Sequence, residues 1–462
     1  MAALLLFLLA CSTQGSPSDD RALVRAHVSA TASQTFRNAS GVLPYPYLVP
    51  AGPYNEAWDW DSMFLCVALQ NYGAKDYCMG TFLNFLHFTN KTDGGLPGCL
   101  TPSGPSQTLY HAKPLIIQAS YLAAKQTGNF TPFLAYADEM RALLRYWNTS
   151  TRLDAATGLH RWHDQLETGA DNLVLSQCPS QFSPECWSEA QAYTLSSPDI
   201  MVWIEREYAA YALFLGAWGV LGGSGGLYSA SSAAREAEGA RAYAARLRDV
   251  IQERLWLWLD PPANTRGMYV GYNTSTGQQS VHGTYQAAWP VWAGLAASGA
   301  VRAAALTQLL EPDLWSPFGL RSTSSEDERY SNANIINPYS NWRGPVWVRA
   351  GVGALGSRAG RTSPLTPPPP RTHTHTLCAQ INVNAVMAYT LQASGLGAVA
   401  NALADTVVHT LAEDLRATGT WHEAYSSANG TGLAAPGFLS WDTLGADLQD
   451  NVQAGIDPFL IE

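Results

Sequence analysis

Trp203-Ile204-Glu205-Arg206-Glu207-Tyr208-Ala209-Ala210-Tyr211-Ala212-Leu213-Phe214-Leu215-Gly216-Ala217-Trp218-Gly219-Val220-Leu221 is the stretch that sets the architecture. Its apolar and aromatic positions recur at helical spacing, with Glu and Arg between them. Ala233 to Trp258 repeats the pattern. Leu109 to Lys125, Pro132 to Trp147, Thr284 to Ala297, Val383 to Ala393 and Ala398 to Thr418 read as helices in the same way. Long segments rich in Gly, Pro, Trp and Asn separate them. Alternating strands are scarce, no βαβ rhythm appears, and no repeat at a fixed period of about 20–50 residues is visible. Helical hairpins with functional loops gathered at one end predict an all-α toroid.

The 462 residues are 47% apolar and 14% charged, against about 25% charged in an average soluble domain, so a large core is easily supplied. Length alone suggests two or three domains, although single-domain barrels exceed that expectation. Sixteen Trp and twenty-one Tyr are enough to line a long cleft for a polar ligand as well as to fill a core. The net charge of -10 is spread without a Lys/Arg run, which argues against nucleic acid or an anionic membrane as partner.

Met1 to Cys11 is apolar and gives way to Ser12-Thr13-Gln14-Gly15-Ser16. The run is too short to span a bilayer, which takes about 20 residues, and fits a signal-peptide core without the usual positive start. Leu8-Leu9-Ala10-Cys11 also matches a bacterial lipoprotein cleavage site. No later segment is apolar for long enough to span. Six Asn-X-Ser/Thr triplets, at Asn38, Asn90, Asn129, Asn148, Asn273 and Asn429, join the N-terminal run in pointing to a secreted or lumenal protein. Cys178 and Cys186 flank a short loop and suit a disulfide. Cys66, Cys78 and Cys99 offer one further pair that spacing cannot assign. No zinc spacing is present, and no cofactor is expected. The expected organisation is a signal peptide over 1–15 and a single domain over 20–462.

Four segments carry the chemistry. Tyr339-Ser340-Asn341-Trp342-Arg343-Gly344-Pro345-Val346-Trp347 is aromatic, holds one fixed cation and turns on a Gly-Pro pair. Aromatic faces stack on sugar C–H faces, and a guanidinium grips hydroxyls through a planar fork. Gln165-Leu166-Glu167-Thr168-Gly169-Ala170-Asp171-Asn172 and Thr420-Trp421-His422-Glu423-Ala424-Tyr425 each set a carboxyl among turn-forming or aromatic residues. Glycoside hydrolysis needs such a pair, one acid to protonate the leaving oxygen and one carboxylate to activate water or attack carbon. Asn55-Glu56-Ala57-Trp58-Asp59-Trp60-Asp61-Ser62 adds a Trp beside acids that suit sugar hydroxyls or a helix N-cap.

Together, from about Leu43 to Asp457, these segments resemble glycoside hydrolase family 63, which includes processing α-glucosidase I and the mannosylglycerate and glucosylglycerate hydrolases. Trp342-Arg343-Gly344-Pro345 resembles the family's Trp-Arg-Gly-Pro signature. The 165–172 segment is similar to the Glu-Ser-Gly-X-Asp-Asn run that carries the general acid, although Leu173-Val174 replaces the usual Ser-Pro. The resemblance implies Asp171 as general acid, with Asn172 holding that carboxyl or a substrate hydroxyl. It implies Glu423 as the base that activates water, with His422 a packing neighbour. Trp60 would stack on the sugar of the cleaved subsite and Asp61 would accept its hydroxyl protons, in a Trp-Asp-Ser segment shared with trehalases. Trp342 and Arg343 would line the same cleft. The implied fold is an (α/α)6 barrel. With no counterpart of the large N-terminal β domain of α-glucosidase I, the chain looks like a short member acting on a small glycoside.

Val348 to Gln380 does not fit this pattern. It holds Pro367-Pro368-Pro369-Pro370 and alternating Thr-His at 372–376, and interrupts the helix expected to run from Trp347 into Ile381. Removing it restores Trp-Arg-Gly-Pro-Val-Trp-Ile-Asn-Val-Asn, so it reads as a translated intron or an irregular loop. Its composition does not support a packed fold or a metal site. The expected function is an inverting exo-glycosidase on a small α-glycoside such as mannosylglycerate, glucosylglycerate or a gluco-oligosaccharide. The alternatives are a trehalase and an inactive secreted carbohydrate-binding relative. An α-helical lyase or epimerase would use Tyr/His chemistry and would not need the acid pair.

Overall fold

The computed structural model describes residues 16–164, 166–170, 173, 192–221, 229–316, 319–328, 330, 342, 381–425, 430–433 and 435–461. Apart from the single turn Thr131–Leu134, the α-helices among them are α1 (Pro17–Thr31), α2 (Asp59–Ala68), α3 (Lys75–His87), α4 (Ile116–Thr127), α5 (Ala137–Trp147), α6 (Pro198–Leu221), α7 (Ala230–Val250), α8 (Trp289–Trp292), α9 (Gly299–Leu309), α10 (Ile381–Ala393), α11 (Gly397–Thr418) and α12 (Leu448–Ala454). Two 3-10 segments, Tyr285–Ala288 and Trp441–Ala446, lead into α8 and α12.

Burial sorts these helices into two layers. On α7 only Ala233, Ala237, Ala240, Ala244, Leu247 and Val250 are buried, a single stripe at steps of three and four. Such a helix lies outside and covers something else. By contrast, nearly every residue of α6 from Pro198 to Leu215 is buried, as are Ile116 to Ala124 of α4 and Ile381 to Leu391 of α10. Helices apolar on all sides lie within a core. Even-numbered helices form the inner ring, and contacts close it: α2 packs on α4, α4 on α6, α6 on α8, α8 on α10, α10 on the 441–446 segment, and that segment on α2. Each odd-numbered helix precedes its inner partner in sequence. The result is the expected all-α (α/α)6 toroid.

The connections are unequal. Those leaving inner helices are short, such as 69–74, 293–298 and 394–396. Those entering inner helices are long: 32–58, 88–115, 148–197, 310–380 and 419–440. The described residues of the segments singled out for chemistry lie in these long connections or at the first turn of an inner helix. They therefore collect at one end of the ring, the mouth. Segment 348–380 lies outside the described residues, as do 1–15 and the expected Cys178–Cys186 pair.

At the other end, the chain after α12 turns up the axis. Phe459 is buried against Phe64 of α2, Trp292 of α8 and Tyr389 of α10. Arg206 of α6 donates to its carbonyl at 2.5 Å and lies 4.3 Å from the centre of the Trp292 ring. Trp292 Nε1 donates to Asp457 at 2.8 Å.

Several helix limits differ from the sequence expectation. Residues 109–111 belong to a strand, Gly104–His111, and α4 begins only at Ile116. Its start is capped from a distance, because Glu207 of α6 accepts the N–H groups of Ile117 and Gln118 at 3.0 and 2.8 Å. The 132–147 stretch breaks between Leu134 and Ala137. The 233–258 stretch ends in a π turn, Ile251–Leu255, and Trp256–Trp258 pairs with Gly267–Tyr269 as a hairpin. Gly267 permits that hairpin, since a Cβ there would meet the Trp256 ring at 2.4 Å. The helical part of 284–297 stops at Trp292, and Gly294 follows with φ +70°. The cysteine pairing left open by spacing is resolved by a Cys66–Cys78 disulfide tying α2 to α3, with Cys99 buried and free. Among the described residues no helix is long and apolar enough to cross a membrane.

Candidate active site

The first turn of α2 separates the duties of its two acids. Asp59 is buried, and its Oδ1 accepts the Trp60 N–H at 2.6 Å. Its Oδ2 accepts the Lys113 N–H at 2.6 Å, and Lys113 Nζ stands 3.4 Å from Oδ1. Asp59 thus joins the start of α2 to the chain entering α4, a structural task. Asp61 faces elsewhere: its Oδ1 accepts the Ser440 hydroxyl at 2.6 Å. Burial, with some help from the Asp59 charge, pushes the Asp61 carboxyl up to about 7 against the opposing pull of Ser440 and Lys113. Trp60 packs edge-on to Trp203, ring centres 4.8 Å apart.

Lys113 was not singled out by the sequence, yet three segments meet on it. Its ammonium lies 5.7 Å from the Trp60 ring centre. Gly169, at φ +78°, passes so close that a Cβ would sit 2.7 Å from Lys113 Cε. The segment that contains the proposed general acid therefore runs against the same lysine that contacts Asp59 and Trp60. Nothing in Ala112-Lys113-Pro114 signals this, because the partners come from distant connections.

That segment is firmly seated. Leu166–Thr168 forms a 3-10 turn, and Glu167 is buried in a two-fold ion pair with Arg152, at 2.5 and 2.6 Å. Ala170 N donates to Thr168 Oγ1 at 2.9 Å, and Leu173 N to Ala170 O at 2.9 Å. Asp171 and Asn172 lie outside the described residues, as does Arg343.

The base segment packs onto the chain before α2. Tyr54 donates to Glu423 Oε2 at 2.7 Å. Trp441 Nε1 donates to the Glu423 carbonyl at 3.3 Å, and Leu439 N to Pro50 O at 2.9 Å. Behind Glu423 lies a buried polar chain. His422 Nδ1 meets Asp414 at 2.9 Å, His422 N donates to the Tyr425 oxygen at 2.9 Å, and Tyr425 donates to Asp442 at 2.8 Å. His422 is thus a hydrogen-bonding neighbour. Gly432 is required beside it, since a Cβ there would meet His422 Nδ1 at 2.0 Å. Burial, then the charges of Asp414 and Glu423, push Asp442 well above the ordinary carboxylate range.

Trp342 closes the next part of the rim. It is buried, its carbonyl accepts the Thr323 hydroxyl at 3.0 Å, and its ring stacks on Tyr285 at 5.4 Å. From there Gln286 donates to Asp199 at 2.7 Å, Asp199 bonds Ser197, and Ser197 accepts Trp162 Nε1 at 2.9 Å. Trp162 packs on Trp203 at 6.0 Å. The structure therefore brings Trp60, Asp61 and Glu423 to one neighbourhood and links Trp342 to it through one row of rings and hydrogen bonds. Carboxylates, an ammonium and aromatic rings suit a polyol, whose hydroxyls donate to acids and whose C–H faces stack. Among the described residues no group of three or more His, Cys, Asp or Glu could hold a metal ion.

Comparison with known proteins agrees with this chemistry. Residues 226–356 match the model of the mannosylglycerate hydrolase MGH1-like glycoside hydrolase domain. A probable mannosyl-oligosaccharide glucosidase of Schizosaccharomyces pombe is 26% identical over 165 residues, 35% of this chain and 17% of that protein. A cytosolic neutral trehalase of Saccharomyces cerevisiae is 28% identical over 130 residues, 26% of this chain and 17% of that one. The match spans less than a fifth of either relative. The fold superposes on the GH63 mannosylglycerate hydrolase from Thermus thermophilus in complex with glucose, at TM-score 0.62 and 18% identity over 92% of this chain and 100% of that chain. It superposes on neutral trehalase Nth1 from Saccharomyces cerevisiae at TM-score 0.58 and 16% identity, over 95% and 83% of the two chains.

Proposed function

We propose that this chain, a glycoside hydrolase of the family 63 type, is an inverting exo-glycosidase acting on a small α-glycoside such as mannosylglycerate, glucosylglycerate or a gluco-oligosaccharide. The observation that carries the reading is the seating of Glu423. Its carboxylate is held by Tyr54 beside a floor made by Trp60 and Asp61, and the base segment is tied to that floor through Ser440. In the reaction Asp171 protonates the leaving oxygen while Glu423 takes a proton from the attacking water. Inversion needs the two carboxyls roughly 6.5–9.5 Å apart. Trp60 and Trp342 face the sugar, Asp61 and Asn172 take its hydroxyls, and Arg343 grips it through its planar fork.

A panel of mannosylglycerate, glucosylglycerate, trehalose, kojibiose and nigerose, followed by proton NMR, tests this. The expected first product is the β-anomer of the released sugar. An α-anomer would make the enzyme retaining, and binding without turnover would support the inactive relative. Turnover of trehalose alone would establish the trehalase reading, which the similarity to yeast neutral trehalases supports. Chains with and without 348–380 belong in the panel, and the shorter one is expected to be the more active.

A secretory location is part of the proposal. The Cys66–Cys78 bridge suits an oxidising compartment, and Asn38, Asn90 and Asn129 are exposed. Asn148 differs: its amide donates to Leu144 O and Tyr208, and its oxygen accepts Tyr243 at 2.6 Å. Mass spectrometry of the native protein should find glycans at the three exposed sites and none at Asn148. Bare asparagine throughout would place the protein elsewhere.

A further inference from the structure

We propose that the buried Arg152–Glu167 pair is the device that positions the general acid, acting on the reaction through the segment that contains Asp171. This rests on the reading of Asp171 given above.

Both side chains are almost wholly buried, at 2% exposure for Arg152 and 0% for Glu167. The guanidinium fork meets the carboxylate squarely, Nη1 to Oε2 at 2.5 Å and Nη2 to Oε1 at 2.6 Å. The same carboxylate also accepts the His111 N–H at 3.0 Å and the His163 N–H at 2.6 Å. One group therefore joins its own turn, the end of the Gly104–His111 strand two residues before Lys113, and the chain at 163.

Arg152 extends the junction in the other direction. Its guanidinium lies 5.0 Å from the ring centres of Tyr146, Trp147 and Tyr193. Tyr193 follows the long stretch that begins after Ala170, and its N–H donates to His163 O at 2.9 Å. Residues before and after the stretch containing Asp171 thus gather on one ion pair.

A bare packing role does not require charge at this point. Buried ion pairs carry a desolvation penalty that apolar residues of similar volume avoid. What a fork-on-carboxylate pair provides is a single geometry. General-acid catalysis depends on such geometry, because the acid must stand within hydrogen-bond reach of the leaving oxygen. The clamp also stands next to Lys113 and Gly169, so it sets the acid's segment relative to the floor at Asp59 and Trp60.

The test separates a positioning role from a purely structural one by leaving group. A glycoside with an alcohol leaving group needs protonation. A glycosyl fluoride of the same sugar needs little. Full-length Glu167→Gln, Arg152→Lys and Tyr193→Leu are compared with Asp171→Asn. The three clamp variants should lose about 10- to 100-fold in kcat on the alcohol glycoside, with KM and fluoride turnover changed by less than about threefold. Asp171→Asn should show the same selectivity, more strongly. Equal losses on both substrates, or no loss, in folded clamp variants would overturn the proposal. If the ion-pair variants do not fold, Tyr193→Leu, which leaves the pair intact, decides alone. Should Asp171→Asn itself lack leaving-group selectivity, the acid assignment fails and takes the clamp with it. Selectivity in Asp171→Asn but not in the clamp variants rejects only the clamp.

Discussion

Tyr54 is a residue whose importance arises entirely from its partner. It lies 369 positions from Glu423, and its hydroxyl gives that carboxylate a charge-assisted bond. Tyr54→Phe removes the bond, so kcat should fall about 10- to 100-fold, matching the roughly 1.5–3 kcal/mol of a hydrogen bond to a charged group. Unchanged kcat with normal folding would remove Tyr54 from the site. Asp61 makes a different prediction. Accepting sugar hydroxyls needs its ionised form, and its carboxyl is pushed up to about 7. KM for the preferred substrate should therefore fall as pH rises through that value. Asp61→Asn, which cannot ionise, should have a weaker but pH-independent KM there, and steady-state kinetics across the range checks both. Motif reading singled out Asp61 and Glu423 because their neighbours are distinctive. It passed over Tyr54 and Lys113 because their contacts run between connections with no local pattern.

Among elements, α2 bears the most. Its first turn holds Trp60 and Asp61, and its far half is bridged to α3 through Cys66–Cys78, with Cα atoms 5.1 Å apart. The bridge closes a short loop, and removing it with Cys66→Ala and Cys78→Ala should cost about 2–4 kcal/mol in urea unfolding. A loss near zero would show that helix packing alone holds the hairpin. Helix existence was legible wherever an apolar stripe ran unbroken, as on α7. Helix limits were not, because they depend on distant groups: Glu207 starts α4, and the Trp256–Gly267 contact converts the end of one predicted helix into a hairpin. The short inner segment at 441–446 is too brief for periodicity to announce, although it completes the ring.

At the scale of the whole molecule, buried titratable groups set the pH of greatest stability. Burial pushes Asp61 and Glu207 up to about 7 and Asp199 up to about 6. The native state then keeps protons that the unfolded chain has released, so these groups withdraw stability as pH rises from about 4 toward 7. His111 and His160, each held down near 4 by burial, work oppositely: below 6.5 the unfolded chain gains protons that the native state refuses. At Glu167 burial is outweighed by Arg152, which holds the carboxyl below its ordinary value, so this group withdraws stability only in stronger acid. Because the raised carboxyls, which also include Glu205, Asp405, Asp442 and Asp457, outnumber the lowered imidazoles, His27 among them, the melting temperature should peak near about pH 5 and decline toward 8. Calorimetry showing a maximum at 7 or above would contradict the balance. Stability and Asp61-dependent binding then favour opposite sides of neutrality.

The chain end packed into the ring's axis has a consequence for traffic. With Phe459 among Phe64, Trp292 and Tyr389, the lower half of the axis is filled, so the mouth serves as both entrance and exit. On the proposed reaction a glycoside enters sugar first, and its two halves leave in reverse order of depth: the aglycone first, then the sugar. Such a queue gives the products different inhibition patterns. The free sugar occupies the deepest place and competes with incoming substrate, whereas the aglycone rebinds only to the enzyme still holding the sugar and inhibits noncompetitively.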